Sequence, residues 1–376
     1  MSFFWQTMRI RKTIGRAVLA ALFVYIFWLG WQIVRFKRYE QPSPSVPSAS
    51  LGPFPTEIEG AYHIHSRNSD GSKTVDQIVK IAANARLDFI ILTDHGKPNF
   101  ATLDAQGKKE GVLVLAGTEI SSNRGHLLGL GFERPRDSTF FSSEAELAAR
   151  EIGALGGFSV IAHPYSKVPW SWGDLFEYDG LEIVDADSML KSHVLRTLVY
   201  FPALLVKPTF ALLKLIKPPE RALRKWDRLL ARHFLSGYFS ADAHFLYSAI
   251  FPVFHLHVLL EKPLAADFGE ARRQVFDALR RGHFFSAVDA AAAARGFRFW
   301  LEGAALRIAA PFPFSHETVI IRDGQVIRRT GENDLTLPLP GPGAYRVEVY
   351  LRERTPLDPR APWILSNPID YERNNR

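Results

Sequence analysis

Short apolar runs, each stopped by a polar cluster, constrain this chain more than any other feature. Phe89-Ile90-Ile91-Leu92 runs into Thr93-Asp94-His95, and Val112-Leu113-Val114-Leu115-Ala116 into Gly117-Thr118-Glu119. Phe158-Ser159-Val160-Ile161 runs into Ala162-His163-Pro164, Gly180 to Val184 forms another run, and Phe239-Ser240-Ala241 leads to Asp242-Ala243-His244. Runs without polar alternation are typical of strands buried on both faces of a parallel sheet. Helical patterns separate them. Thr74 and Gln77 form a capping box before the amphipathic stretch Val75 to Arg86, and Ser143 with Glu146 is expected to open a helix over Ala145 to Leu155. This alternation predicts a parallel sheet with right-handed crossovers. The polar clusters then fall at strand C-terminal ends, where (β/α) barrels place their chemistry.

The first cluster sets the kind of chemistry. His63 and His65 lie two apart on a strand expected over Glu59 to Ile64, so they point the same way. Asp70 follows in the turn Ser69-Asp70-Gly71. His95, Glu119, His126, His163, Asp242 and His244 stand at later strand ends, His126 after Gly125 and before a strand over Leu127 to Leu130. A lone His-x-His pair carries little weight. Six histidines and three acids in this pattern point to a polynuclear metal site, and imidazole with carboxylate suits Mn, Fe or Zn. The chain has no cysteine, which excludes disulfides, thiolate ligands and a Cys nucleophile. It has no glycine-rich phosphate loop, which counts against a nucleotide cofactor.

From about residue 58 to 288 the order of these motifs resembles the PHP (polymerase and histidinol phosphatase) family. The resemblance implies an α/β fold built on a distorted (β/α)7, TIM-like barrel. It also implies two or three divalent metal ions and hydrolysis of phosphoesters by a metal-activated hydroxide. Carried over residue by residue, it places His63, His65, Glu119 and Asp242 on one ion and Asp70, His95 and His244 on a second. Glu119 would bridge to a third, completed by His126 and His163. Asp94 is expected to orient a ligand histidine. Arg124 is the candidate phosphate clamp, with Lys97 and Tyr165 in neighbouring loops. The segment Pro362 to Ile369 resembles the tail of PHP-like metallohydrolases that act on carbamate and aryl esters. A carboxyl- or carbamate-ester hydrolase is therefore the chemical rival, and a membrane-tethered binding module the non-enzymatic one. His255-x-His257 lies in an apolar strand, Pro252 to Leu260, with no acidic partner nearby, and is read as structural. His193, His233, His283 and His316 are read as surface or core.

The chain ends differ from this centre. Residues 17–34 are apolar apart from Gln32, with Tyr25, Trp28 and Trp31 suited to a membrane interface. That is near the lower limit of the ~17–25 residues a spanning helix needs. The stretch reads as an uncleaved anchor rather than a signal peptide, with the body outside the cytoplasm. The expected organisation is a basic-flanked anchor at 1–39, a Pro/Ser linker at 40–57, the barrel at 58–288 and a small β-sandwich-like domain at 289–376. Within the barrel, 189–233 is an insertion. Its 194–216 part is apolar but broken by Pro202 and Pro208, and a helix carrying Arg221, Arg224, Lys225, Arg228 and Arg232 follows. The expectation is a segment lying in the membrane interface near the active-site mouth, the alternative being a lid packed on the barrel. Net charge is +7 overall, +7 in 1–39 and +8 in 189–233, so the remainder carries −8. An acidic body argues against nucleic acid, and basic segments at the membrane favour a lipid-linked phosphoester as partner.

Overall fold

The computed structural model describes residues 2–40, 52–174, 178–192 and 194–371. Most of the expected linker, and His193, lie outside the described residues.

Strand Thr56–Ile64 is the hub. It pairs in parallel with Phe89–Leu92 and antiparallel with Phe254–Leu260. Phe89–Leu92 in turn pairs in parallel with Val112–Ala116. These strands belong to an eleven-stranded sheet. A second, five-stranded sheet runs Thr118–Ser122, Gly125–Leu130, Phe158–Ala162, Gly180–Asp185, Ser236–Ser240. The sheets touch through two isolated bridges, His95 with Glu119 and Ile64 with Ala243. Each bridge contains or adjoins candidate ligands, so the seams between the sheets are where the site forms.

The mixed α/β architecture and the apolar strands are as expected, but the strands do not form one continuous ladder. Residues 112–122 read as strand, loop and strand, and the chain bends between them at Gly117. Its N–H donates to the Leu92 carbonyl, and a Cβ there would lie 2.3 Å from the Gly129 carbonyl oxygen. Only glycine permits that approach, and the chain passes from one sheet to the other at this point. The helices also follow the sequence closely. Thr74 and Gln77 form the capping box of Val75–Asn84. Ser143 is not a cap: Glu144 takes that place before Ala145–Ala154, and the Ser143 hydroxyl meets the Lys97 amine instead.

The C-terminal strands extend the larger sheet. Ile364–Ser366 pairs with Phe284–Val288 on one side and Gly343–Leu351 on the other. A separate three-stranded sheet, Arg298–Glu302, Ala305–Ala309 and Asp334–Pro338, buries Phe299, Leu306, Ile308 and Leu335 in the same apolar cluster as Val347 and Val349. Trp363 is fully buried there, its indole N–H donating to the Ala292 carbonyl at 2.9 Å.

One helix, Ser2–Arg35, contains a stretch, Thr13–Arg35, long and apolar enough to cross a membrane. The insertion divides into parts of opposite character. Helix Glu220–Leu230 is docked on the body, with Trp226, Leu229 and Leu230 buried. Arg346 forks onto its Asp227 at 2.9 and 3.0 Å. The basic helix expected at the membrane interface is thus a body element whose apolar face is already covered. Helix Val194–Val206 is the reverse: Val194, Leu195, Leu198, Phe201, Leu205 and Val206 are exposed. It packs along the C-terminal half of the N-terminal helix, where Tyr25 donates to the Val199 carbonyl at 2.5 Å and Leu29 clusters with Ala203, Phe210 and Ala211.

Candidate metal centre

Glu119 sits at the middle of the polar cluster and is buried. Its Oε2 lies 3.1 Å from His63 Nε2 and 3.0 Å from His65 Nε2. Its Oε1 lies 2.6 Å from His126 Nδ1 and 3.1 Å from His163 Nε2. Asp242 Oδ1 is 3.3 Å from His63 Nε2 and 3.6 Å from His65 Nε2. Asp70 reaches His65 Nδ1 at 3.3 Å, His95 Nε2 at 3.5 Å and His244 Nε2 at 3.3 Å. The structure therefore brings all nine sequence candidates together. Four overlapping groupings emerge among the described residues here: His65, Asp70, His95 and His244; His63, His65 and Glu119; His63, His163 and Asp242; and Glu119, His126 and His163.

This donor set fits divalent cations on two grounds. His65 Nε2 and Asp242 Oδ1 are buried yet make no hydrogen bond. Orphaned buried polar atoms cost about 1–3 kcal/mol each, and an imidazole nitrogen beside a carboxylate oxygen is a pair a cation satisfies. Secondly, His63, His163 and Asp242 hold φ values of +63°, +24° and +36°. Left-handed backbone at non-glycine residues costs on the order of 1–3 kcal/mol and concentrates at functional sites.

Electrostatics follow from crowding. Burial would lower the His65 ring, but the carboxylates of Asp70 and Glu119 beside it push it up to about 9. Burial likewise opposes charge on His163, and Glu119 and Asp242 overcome it to give about 10. Burial would raise Glu119, yet the charge of His63 and hydrogen bonds from His126 and His163 hold it well below the usual carboxylate range.

The supporting residues differ from expectation. Asp94 orients no histidine ring. It accepts from the Ser66 N–H at 2.6 Å and from the hydroxyls of Ser66, Ser69 and Thr102 at 2.7, 2.7 and 2.6 Å. It thereby fixes the loop that carries the chain from His65 to Asp70. The residue that does orient a histidine is Glu182, which sequence reasoning missed: its Oε1 lies 2.7 Å from His63 Nδ1. A buried carboxylate inside the apolar run Gly180–Asp185 was the available signal. Asp185, on the same strand, was also missed; burial and the neighbouring Asp242 push its carboxyl up to about 7.

Arg124 turns away from the cluster. It stacks over Trp172 at 4.2 Å and donates to the Ser171 carbonyl at 2.9 Å. A cavity of about 350 Å³ opens above the histidines, and its outer wall is Tyr165, Lys167, Asp187, Ser188 and Lys191. Lys167 and Lys191, not Arg124, are the cations at this mouth.

The reading of His255 and His257 as lacking acidic partners is corrected. His257 Nδ1 lies 2.7 Å from Glu57, and His257 Nε2 lies 2.7 Å from Asp289. These acids are near in the sheet and far away in the sequence. His233 and His316 meet backbone carbonyls, and His283 packs on Phe54 at 4.8 Å between ring centroids.

No family model matches the chain. An uncharacterized protein of Methanocaldococcus jannaschii is 26% identical over 144 residues, 34% of this chain and 82% of that protein. A phosphoribosyl 1,2-cyclic phosphate 1,2-diphosphodiesterase of Eggerthella lenta is 37% identical over 78 residues, 19% of this chain and 30% of that enzyme. Among solved structures, a two-domain protein from Bacteroides vulgatus containing a predicted PHP-like metal-dependent phosphoesterase aligns over 89% of this chain and 99% of its own length. Its identity is 14% and its TM-score 0.42.

Proposed function

We propose that this chain is a membrane-anchored, metal-dependent hydrolase of phosphoesters, acting on a substrate that is itself membrane-associated. The observation that carries the reading is Glu119, whose two oxygens are each shared by a pair of histidines at the floor of a cavity walled by Lys167 and Lys191. We read the two sheets as parts of a distorted (β/α)7 barrel, with His63, His65, His95, His163, Asp242 and His244 at or just past strand C-terminal ends and Glu119 and His126 at the starts of Thr118–Ser122 and Gly125–Leu130. His63, His65, Glu119 and Asp242 would hold one ion, Asp70, His95 and His244 a second, and Glu119, His126 and His163 a third. Divalent ions there would supply Lewis acidity and bring the pKa of a coordinated water to ~7.

The chain's own residues supply the rest. With an ion in place, Glu182 would keep the His63 proton on Nδ1 and turn the Nε2 lone pair toward Glu119 and Asp242. Asp94 fixes the loop that positions Asp70. Lys167 and Lys191 present positive charge to a phosphoryl group entering from the mouth. Lys191 is steadied by an ion pair with Asp187.

A membrane-associated substrate is supported by adjacency. Lys191 lies on helix Ala186–Ser192, just before the exposed apolar helix Val194–Val206, which packs against the candidate span. The mouth and the lipid-facing surface therefore adjoin. The basic residues flanking the span lean toward a body outside the cytoplasm.

The test uses the full chain in mixed micelles with Mn²⁺ or Zn²⁺. Substrates are a soluble aryl phosphate, a micellar phospholipid, an aryl carboxyl ester and an aryl carbamate. Phosphoester hydrolysis, faster on the micellar substrate and abolished by His63→Ala, is expected. Turnover of the carboxyl ester or carbamate alone, or activity surviving His63→Ala, would sink the reading.

A further inference from the structure

We propose a second metal site, structural in role, held by Glu59, His255, His257 and Asp289 and taking one divalent cation of the zinc type. It stands apart from the catalytic cavity, which none of the four lines.

The sheet builds the cluster. Glu59 and His257 are direct partners across the antiparallel pair formed by Thr56–Ile64 and Phe254–Leu260. His255 lies two residues from His257 and so on the same face. The next strand, Phe284–Val288, pairs with Phe254–Leu260 and ends immediately before Asp289. One donor atom from each of the four falls within 4.8 Å of all the others. His255 Nδ1 is 3.3 Å from Glu59 Oε2 and 3.6 Å from Asp289 Oδ2. Tetrahedral zinc, with bonds of ~2.0–2.2 Å to nitrogen and oxygen, sets its donors roughly 3.3 Å apart.

His255 supplies the independent observation. It is 5% exposed, and its Nδ1 is buried with no hydrogen-bond partner. Its Nε2 lies 2.8 Å from the Phe251 carbonyl. A carbonyl only accepts, so the ring proton is on Nε2. Nδ1 is then left facing two carboxylate oxygens with no hydrogen bond of its own, a position that a divalent cation would fill.

Each of the four is also held from behind, as metal ligands are. Phe251 orients His255. Glu57 Oε1 faces His257 Nδ1 at 2.7 Å and leaves Nε2 turned to the cluster. Arg295 takes Glu59 Oε1 at 2.6 Å, and the Ala294 N–H takes Asp289 Oδ1 at 3.1 Å. The oxygens facing His255 are the opposite ones, Oε2 and Oδ2. The position explains the purpose. Arg38 donates to the Asp289 backbone carbonyl at 2.7 Å, and Tyr39 bridges to Ala292. A metal on Asp289 fixes the end of the N-terminal segment to the body.

The experiment measures zinc per chain by mass spectrometry on the full chain in detergent after loading and desalting. Wild type is compared with His255→Ala and Asp289→Asn. Each variant is expected to lose one equivalent while phosphoester hydrolysis stays within about threefold. Unchanged zinc content in folded His255→Ala overturns the proposal. Anomalous scattering at the zinc edge from wild-type crystals needs no variant. A peak among the four donors is expected, and an empty position beside an occupied catalytic centre would refute the site.

Discussion

Glu182 joins two ligand strands through one carboxylate: Oε1 lies 2.7 Å from His63 Nδ1, and Oε2 accepts the backbone N–H of His163 at 2.7 Å. The same side chain sets a tautomer and a strand end. Glu182→Gln keeps the shape but loses the charge that orients His63. Outer partners of this kind are worth 10–100-fold in metal affinity. Competition with a fluorescent chelator should show weaker binding by about that factor, with the fold intact by circular dichroism.

Removal of Glu119 should be far more damaging than removal of one histidine, because both its oxygens are shared. Glu119→Ala is expected to lose more than one metal equivalent and to reduce hydrolysis by at least roughly 10³-fold, on the scale of other electrostatic stabilisers. Retention of full metal content would exclude the bridging role.

The metal-free chain should bind protons where the metals go. His65 at about 9 and His163 at about 10 stand above the ordinary histidine value near 6.5. Their contribution to stability is complete below pH ~6.5 and lost as pH rises through 9 to 10. At pH 8 both rings are protonated, and ligands must be deprotonated. Zinc added to metal-free protein in weak buffer at pH 8 should acidify the solution, should release fewer protons at pH 10.5, and should release fewer in His163→Ala. An indicator dye reads the result.

Gly71 is needed for space. A Cβ there would lie 2.3 Å from the His65 carbonyl oxygen and 2.7 Å from the Ser66 nitrogen. Gly71→Ala must move the loop that places Asp70, so metal affinity and thermal stability should fall together. A wild-type melting temperature with full activity would contradict the packing.

The insertion is bolted to the C-terminal strands by Arg346, which is 3% exposed and forked onto Asp227. Asp227→Ala leaves that guanidinium with Glu348 as its remaining carboxylate partner among those described. A buried pair broken on one side typically costs about 3–5 kcal/mol, and the residual partner places this case near 3. Denaturant titration measures it.

Much of this was legible because the signal was local. The runs Phe89–Leu92, Val112–Ala116 and Phe158–Ala162 declare themselves as strands, and the polar residues that stop them became the cluster around Glu119. What escaped depends on distance along the chain. Glu57 and His257 are 200 residues apart, so the acids around the second His-x-His pair could not be read from its neighbours. Asp94 does not take the role expected of it because adjacency to His95 is not contact with its ring, and Glu182, of which no role was expected, holds His63. Composition alone could not divide 189–233. Helix Glu220–Leu230 is covered through Asp227 and Trp226, while Val194–Val206 stays bare. Nor does composition reveal the bend at Gly117, which depends on the Gly129 carbonyl opposite it.

The passage of the site from His63 to His244 also orders events in time. His63 and His65 leave the ribosome early, whereas Asp242 and His244 emerge only after the insertion has been made, and domains form from the N-terminus onward as synthesis proceeds. On the proposed reading, the N-terminal helix would engage a bilayer before any of the four donor groupings is complete. The centre would then be assembled after delivery. Ions filling it would come from the compartment where the last strand closes, so the supply of metal there, as well as the identity of the donors, would set which metal the protein carries.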